Sequence, residues 1–434
     1  MQTRLNFGLD SSISNLSVSA LDTALLPRHR WYYFKEAFSP DFVTYAINNA
    51  NCTKNDLILD PFSGSGTVPL SATIKGYTAS GFEVNPFLAF VAKTKLLQCK
   101  PKTIDKHLKD VTAGIQQGVE SPLESFSTFS ENGGAKKWLF NTEVLQAFEG
   151  GWQATIGKHK PIRDVFRLCL IGAAMDASNA TKDGKCLRYR RDWKEQRFEK
   201  KDFLFAFSKR VNEVKQDLDS CPLKKSKTKV ELTDSRQLTT LNKSNEKFKL
   251  CVMSPPYLNS FDYTDVYRPE LFLGKFVRSQ EELQQLRLKT LRSHVQVSWN
   301  TPTEMDFGQH FTNSFVEIKE RADTLWDKRI PSMIQAYFED MKQVLSNLYG
   351  LAMPDASVWI VVSTSAYAGV EIPVDLIIAD IGSQVGWYLR EVNVIRYLRR
   401  VSVQQWDKLY ERKNKKPYLR ESVIILDKMP HTRK

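Results

Sequence analysis

Histidine and cysteine are both scarce, six of each in 434 residues. No two of the cysteines, at positions 52, 99, 169, 186, 221 and 251, form a CxxC pair. A zinc site and a disulfide framework are therefore not expected, and no metal is assigned. No apolar run reaches the roughly 18 residues that a membrane span needs. Met1 to Leu5 does not lead into the apolar core of a signal peptide, so a cytoplasmic protein with no membrane partner is expected. Acidic charge is in deficit: 62 Lys and Arg face 49 Asp and Glu, a formal net charge of +13. A surplus of that size suits a polyanionic partner, nucleic acid first. The length and 42% hydrophobic content allow a large core with insertions.

Along the chain, residues 1–26 are polar and Ser-rich and read as a loosely held arm. Arg28 to Lys35 is dense in bases and aromatics, and a helix is expected after Pro40. Asn55 to Asp60 reads as a buried parallel strand. It runs into Pro61-Phe62-Ser63-Gly64-Ser65-Gly66-Thr67, then an apolar helix ending near Gly76, then a strand closing on Glu83. Strand, Gly-rich turn, helix, strand and acid make half of a nucleotide-binding βαβ unit. Glycines let the backbone turn sharply and approach a ligand at a helix N-terminus. A carboxylate at the end of the second strand is placed to accept from ribose hydroxyls. No Gly-Lys-Ser/Thr follows, which excludes a P-loop, and Thr67-Val68-Pro69 breaks the dinucleotide GxGxxG pattern.

Residues 100–225 interrupt the sheet pattern as a basic, helical insertion, with helices expected from Pro161 and from about Phe203. Between them lies a run of bases that includes Arg188, Arg190, Arg191 and Lys194, interleaved with Tyr189 and Trp193. That mixture suits phosphate contacts and base stacking, although charge runs usually form a solvated face. The sheet resumes at Lys229 to Leu232, with Asp234 just beyond, where it can accept from an adenine amine. A short apolar strand, residues 248–252, then stops at Ser254-Pro255-Pro256-Tyr257. Two prolines cannot continue a ladder. The result is a stiff turn with a hydroxyl, fixed carbonyls and a ring at a strand's carboxyl end, where open α/β sheets bind ligands. Residues 258–330 read as a second elaboration on that edge. A core-facing helix over 333–348, a strand over 357–363, a helix over 372–385 and an antiparallel strand pair at the sheet edge complete the pattern.

Asp60-Pro61-Phe62-Ser63-Gly64-Ser65-Gly66-Thr67 together with Ser254-Pro255-Pro256-Tyr257 resembles the class I S-adenosylmethionine-dependent methyltransferases of DNA amino groups. The sheet pattern supports this over about half of the chain. The resemblance implies a Rossmann-like α/β sheet, mostly parallel, with helical insertions. Residues 27–99 and 226–434 would form the catalytic domain, and 258–330 a target-recognition elaboration within it. Asp60, Phe62, Gly64, Gly66 and Thr67 would wall the methionine part of S-adenosylmethionine, Glu83 would hold its ribose and Asp234 its adenine. The aromatic stretch Trp31 to Phe34 would cover the cofactor. The Ser254 hydroxyl and the Pro255 carbonyl would bind the amine hydrogens. The whole tetrapeptide, Pro256 included, would form the catalytic clamp, with Tyr257 stacking on a flipped base. Arg188, Arg190, Arg191 and Lys194 would contact double-stranded DNA.

A C5-cytosine enzyme needs a nucleophilic Cys in a Pro-Cys turn, and no Pro-Cys occurs. Ser at the head of the tetrapeptide resembles the N4-cytosine subgroup, with N6-adenine as the alternative. An RNA base methyltransferase and a non-catalytic nucleic-acid-binding protein on the same fold are the other readings. A restriction–modification setting would add a cognate endonuclease as a functional partner.

Overall fold

A computed structural model of the chain describes residues 4–6, 23–183, 186–195, 197–238, 246–398 and 419–429. In chain order, the first elements are β1 (Arg4–Asn6), α1 (Pro40–Asn49), β2 (Leu57–Asp60), α2 (Thr67–Ile74), β3 (Thr78–Glu83) and α3 (Pro86–Lys95). The insertion holds α4 (Pro101–Gln117), α5 (Thr142–Gln153), α6 (Lys160–Asp176), β4 (Ala180–Asp183), β5 (Cys186–Tyr189) and α7 (Lys200–Ser220). There follow β6 (Lys229–Leu232), β7 (Phe248–Met253), α8 (Tyr263–Val266), α9 (Arg268–Leu273), α10 (Gln280–Arg287), α11 (Gln309–Glu320) and α12 (Ile330–Leu351). The last are β8 (Ala352–Ser363), β9 (Ser365–Tyr367), β10 (Val370–Ile372), α13 (Val374–Val385), β11 (Tyr388–Tyr397) and β12 (Arg420–Asp427).

Eight strands form one sheet in the order β1-β11-β12-β8-β7-β2-β3-β6. The ladders between β6, β3, β2, β7 and β8 are all parallel. β12 runs against both β8 and β11. The chain leaves β2 toward β3 and β6 on one side, then returns to β7 and β8 on the other. β2 and β7 therefore flank the switch point, where a crevice opens at the carboxyl edge.

Side-chain alternation builds the two faces. Leu250 and Val252 pack with Phe42, Val43 and Ala46 of α1 and Val68 and Ala72 of α2. Cys251 and Met253 pack on the opposite face, with α12 and α13. Local signals fix the helix starts. Ser39 accepts from the Asp41 N–H ahead of Pro40, and Asn85 accepts from Phe87 and Leu88 N–H ahead of Pro86. Helices α4 to α7 share a third core with α3, Trp31, Tyr32 and Phe261 to Leu286, so the insertion is packed into the body of the protein.

Three expectations need correction. Arg4–Asn6 of the supposed loose arm forms a strand parallel to Glu391–Asn393; most of the rest of that arm lies outside the described residues. β1 consequently takes the outer position, and the antiparallel pair β11–β12 is not the sheet's edge. The run that includes Tyr189 and Trp193 is not an open stacking platform. It forms the β4–β5 hairpin and a turn whose rings face inward: Trp193 meets Tyr189 at 5.3 Å and Trp138 edge-on at 4.7 Å. Burying large apolar rings outweighs leaving them wet for a ligand. Among the described residues, no helix is long and apolar enough to cross a membrane.

Candidate active site

The carboxyl ends of β2, β3, β6 and β7 converge on one cavity of about 370 Å³. Of the residues singled out from the sequence, Asp60, Phe62, Gly64, Thr67, Glu83, Asp234, Ser254, Pro256 and Tyr257 all line it. Gly66 and Pro255 are not among its lining residues. Arg188, Arg190, Arg191 and Lys194 are away from it, on and after the β4–β5 hairpin.

The Gly-rich turn depends on left-handed backbone at Gly64 (φ 50°) and Gly66 (φ 87°). A Cβ on Gly66 would come within 2.8 Å of the Ala92 Cβ, and one on Gly64 within 3.0 Å of the Phe34 ring. Both positions are thus closed to side chains by conformation and by space. Gly66 heads α2 with no side-chain cap, and Thr67 at its first position lines the cavity.

Glu83 is buried, and its two oxygens accept from Gly64 N–H and Asn85 N–H, each at 2.7 Å. It therefore braces the turn as well as facing the cavity. Burial lifts its carboxyl from the usual 4.5 to about 7, against the three backbone donors that favour the charged form. Burial also holds Asp60 well above the carboxylate range, offset by the Phe62 N–H and reinforced by the neighbouring Glu83. A ligand donating hydroxyls to Glu83 needs it ionised, so such binding is expected to strengthen as pH rises through about 7. Stability runs the other way. Between the unfolded value and about 7, the folded chain keeps a proton that the unfolded chain has lost, so the fold weakens as pH rises across that window. Titration calorimetry with S-adenosylmethionine from pH 6 to 8, beside urea unfolding from about pH 5 to 7, reads both slopes; a binding constant flat in pH would mean that no ligand hydroxyl depends on Glu83.

Asp234 is occupied differently from its sequence reading. Arg236 Nε and Nη2 lie at 3.0 and 2.7 Å from its oxygens, and Arg236 reaches Asp340 as well. Asp234 lines the cavity, and its carboxylate is oriented by this arginine. The aromatic cover is also displaced along the chain. Phe34 to Phe38 line the cavity, whereas Trp31 and Tyr32 turn into the helical core.

On the tetrapeptide side, the Tyr257 hydroxyl donates to Glu421 Oε1 at 2.6 Å. Burial, then the Glu421 charge, keeps this phenol protonated far above its usual range. Tyr263 and His294 complete the wall opposite. Burial lowers the His294 value, leaving a neutral imidazole beside the Asp262–Arg287 ion pair.

Sequence reasoning passed over Ser63, Asn85, Tyr263, His294, Arg396 and Glu421 as site residues. Asn85 carried a signal, since Asn before Pro marks a helix start directly after the acid that ends β3. Arg396 and Glu421 carried none, because their neighbour Tyr257 is more than a hundred residues away.

Ser63 Oγ and Asn85 Nδ2 are buried in residues that line the cavity, and they have no hydrogen-bond partner among the described residues. Orphaned polar atoms in a cavity fit a polar ligand that satisfies them. With a left-handed Gly turn, a bare helix start and a buried acid, this donor and acceptor set fits an adenosyl amino acid better than a metal. Among the described residues, no group of His, Cys, Asp and Glu is arranged to hold a metal ion.

Sheet order, switch point and these two loops define a Rossmann-like α/β fold. The chain is 26% identical to Type II methyltransferase M.BsoBI of Geobacillus stearothermophilus, over 92% of this chain and 85% of that protein. It is also 26% identical to Type II methyltransferase M.AvaI of Nostoc sp., over 89% and 84% of the two chains. A shorter match, 30% over 83 residues, joins it to Type II methyltransferase M.MjaII of Methanocaldococcus jannaschii, covering 19% of this chain and 16% of that one. No protein-family model matches the chain. Among solved structures, the rRNA methyltransferase aviRa of Streptomyces viridochromogenes aligns over 96% of this chain and 92% of that one, at 10% identity and a TM-score of 0.30, too distant to weigh. The resemblance carried by the two motifs thus extends, in the type II methyltransferases, across most of the chain.

Proposed function

We propose that the chain is a site-specific DNA methyltransferase of a restriction–modification system, moving a methyl group from S-adenosylmethionine to an exocyclic base amine. The observation that carries this reading is the meeting of Ser254, Pro256 and Tyr257 with Gly64, Glu83 and Asn85 around one cavity. The names of the long relatives support the same reading. Double-stranded DNA is the substrate, and an endonuclease reading the same site is its functional counterpart.

When bound, S-adenosylmethionine supplies a methyl group already activated on a sulfonium. The protein's work is then positioning. Asp60, the Gly64–Gly66 turn and Thr67 hold the methionine part. Glu83 takes the ribose hydroxyls, and Asp234, steered by Arg236, takes the adenine amine. The Ser254 hydroxyl and the Pro255 carbonyl accept the target amine's hydrogens, which frees its lone pair from the ring. Tyr257 stacks on the extruded base. Ser254 favours N4 of cytosine over N6 of adenine. Mass spectrometry of nucleosides from the DNA of an expressing host tests this directly: N4-methylcytosine is expected, N6-methyladenine would move the assignment to the other base, and neither would defeat the reading.

For DNA contact the hairpin bases divide. Arg190 donates to the Ser178 and Asp176 carbonyls and lies over the Phe198 ring, so it is engaged within the protein. Arg188, paired with Asp183, and Arg191 and Lys194 are exposed. Reversing Arg188, Arg191 and Lys194 to Glu is expected to make the slope of log affinity against log salt shallower by roughly 2 to 3, one phosphate contact per base. An unchanged slope would leave this face merely solvated.

A further inference from the structure

Glu421 lies outside the Gly-rich and Ser-Pro-Pro-Tyr turns, yet it joins Tyr257 to Arg396 on the target side of the cavity. Its side chain is only 6% exposed. One oxygen accepts from the Tyr257 hydroxyl at 2.6 Å, the other from Arg396 Nε at 2.7 Å. Glu421 and Arg396 are direct cross-strand partners in the β11–β12 hairpin. The ladder shifts register between Val394 and Arg396, a bulge that re-aims the strand toward the carboxyl edge. Tyr257, Arg396 and Glu421 all line the cavity, and the Arg396 side chain remains 54% exposed at its rim.

A phenol on a stacking ring needs no partner for stacking itself. A buried, charge-assisted bond to it pins the far end of the ring and so fixes where the stacking face lies. A guanidinium with one edge on that same carboxylate still has Nη donors to offer, and their fork matches a phosphate. A nucleotide swung out of a duplex brings its own phosphates to the cavity rim. We propose that the β11–β12 hairpin completes the target clamp: Glu421 is a positioning residue that sets the Tyr257 ring, and Arg396 takes the phosphate of the extruded nucleotide. The proposal rests on the cavity being a base-methylating site.

A double-mutant cycle on the full-length protein tests it. Glu421→Gln and Tyr257→Phe should each lower kcat for DNA methylation about ten- to a hundredfold. S-adenosylmethionine binding by calorimetry should stay within about threefold of the parent. The double variant should be no slower than the slower single one, because one change removes and the other discharges the same charge-assisted bond. Losses that multiply would overturn the role of Glu421. Should Glu421→Gln fail to fold, Tyr257→Phe, which removes only the hydroxyl, carries the test, and full kcat in that variant overturns it. Arg396→Ala should raise KM for DNA and make the salt slope shallower by about one, with Arg396→Lys restoring the slope. An unchanged slope would overturn the phosphate role. If the parent transfers no methyl group to DNA, the underlying reading falls. If the parent is active and the losses multiply, only the clamp inference falls.

Discussion

Replacing Tyr257 with alanine is expected to lower methyl transfer by on the order of a thousandfold or more while leaving S-adenosylmethionine affinity within about threefold. Two effects combine. Stacking of a base on an aromatic ring contributes roughly 1–3 kcal/mol. Loss of the wall also lets the target amine drift, and about 1 Å of misplacement costs around a hundredfold. The cofactor half of the cavity, from Asp60 to Asn85, is built on other strands and keeps its own hydrogen bonds. Single-turnover transfer with saturating DNA reads the first effect and calorimetry the second. Wild-type turnover in Tyr257→Ala would remove the ring from the mechanism.

Asp217→Ala is expected to destabilise the protein by about 3–5 kcal/mol, measured as a shift of the urea midpoint at constant slope. Asp217 on α7 is buried and accepts from Arg28 N–H at 2.8 Å, Trp31 Nε1 at 2.9 Å, and Arg30 Nε and Nη2 at 3.0 and 2.6 Å. Its removal strands these donors together. The Arg28 backbone, at φ 63°, holds a left-handed conformation that this anchor over-determines. Its guanidinium is tied in turn to the carbonyls of Lys95, Leu97 and Cys221. A loss below about 1 kcal/mol would mean that the segment is held by packing alone. The same variant should weaken S-adenosylmethionine binding, because Phe34 to Phe38 of the cavity wall follow directly from this anchor.

The sheet's inner strands were legible because burial on both faces demands short apolar runs, as in Leu57-Ile58-Leu59 and Leu250-Cys251-Val252. The Gly turn and the Pro-Pro stop were legible for a related reason: backbone conformation dictates residue type there. Arg4–Asn6 was not legible. Its three residues acquire strand geometry only through the β11 edge, which local patterning cannot announce. The basic run misled in part because charge and aromatic content do not encode direction. Lys182, a base on β4 just ahead of Arg188, sits half-buried against Glu270 and the Tyr32 hydroxyl, with its ammonium 3.5 Å from the centre of the Tyr267 ring. Within the site, local partners such as Glu83 and Asn85 could be inferred. The Tyr257–Glu421 bond spans 164 positions and exists only because β12 enters beside β8.

That late entry bears on how the protein is made. A ribosome delivers β8 and β11 before β12, yet β12 belongs between them. Until residues 420–427 emerge, β8 presents an open strand edge and the cavity lacks the wall that carries Glu421. The nascent chain is therefore aggregation-exposed at the centre of its sheet. On the proposed clamp, such a chain would also lack the carboxylate that sets the Tyr257 ring until its last strand has joined the sheet.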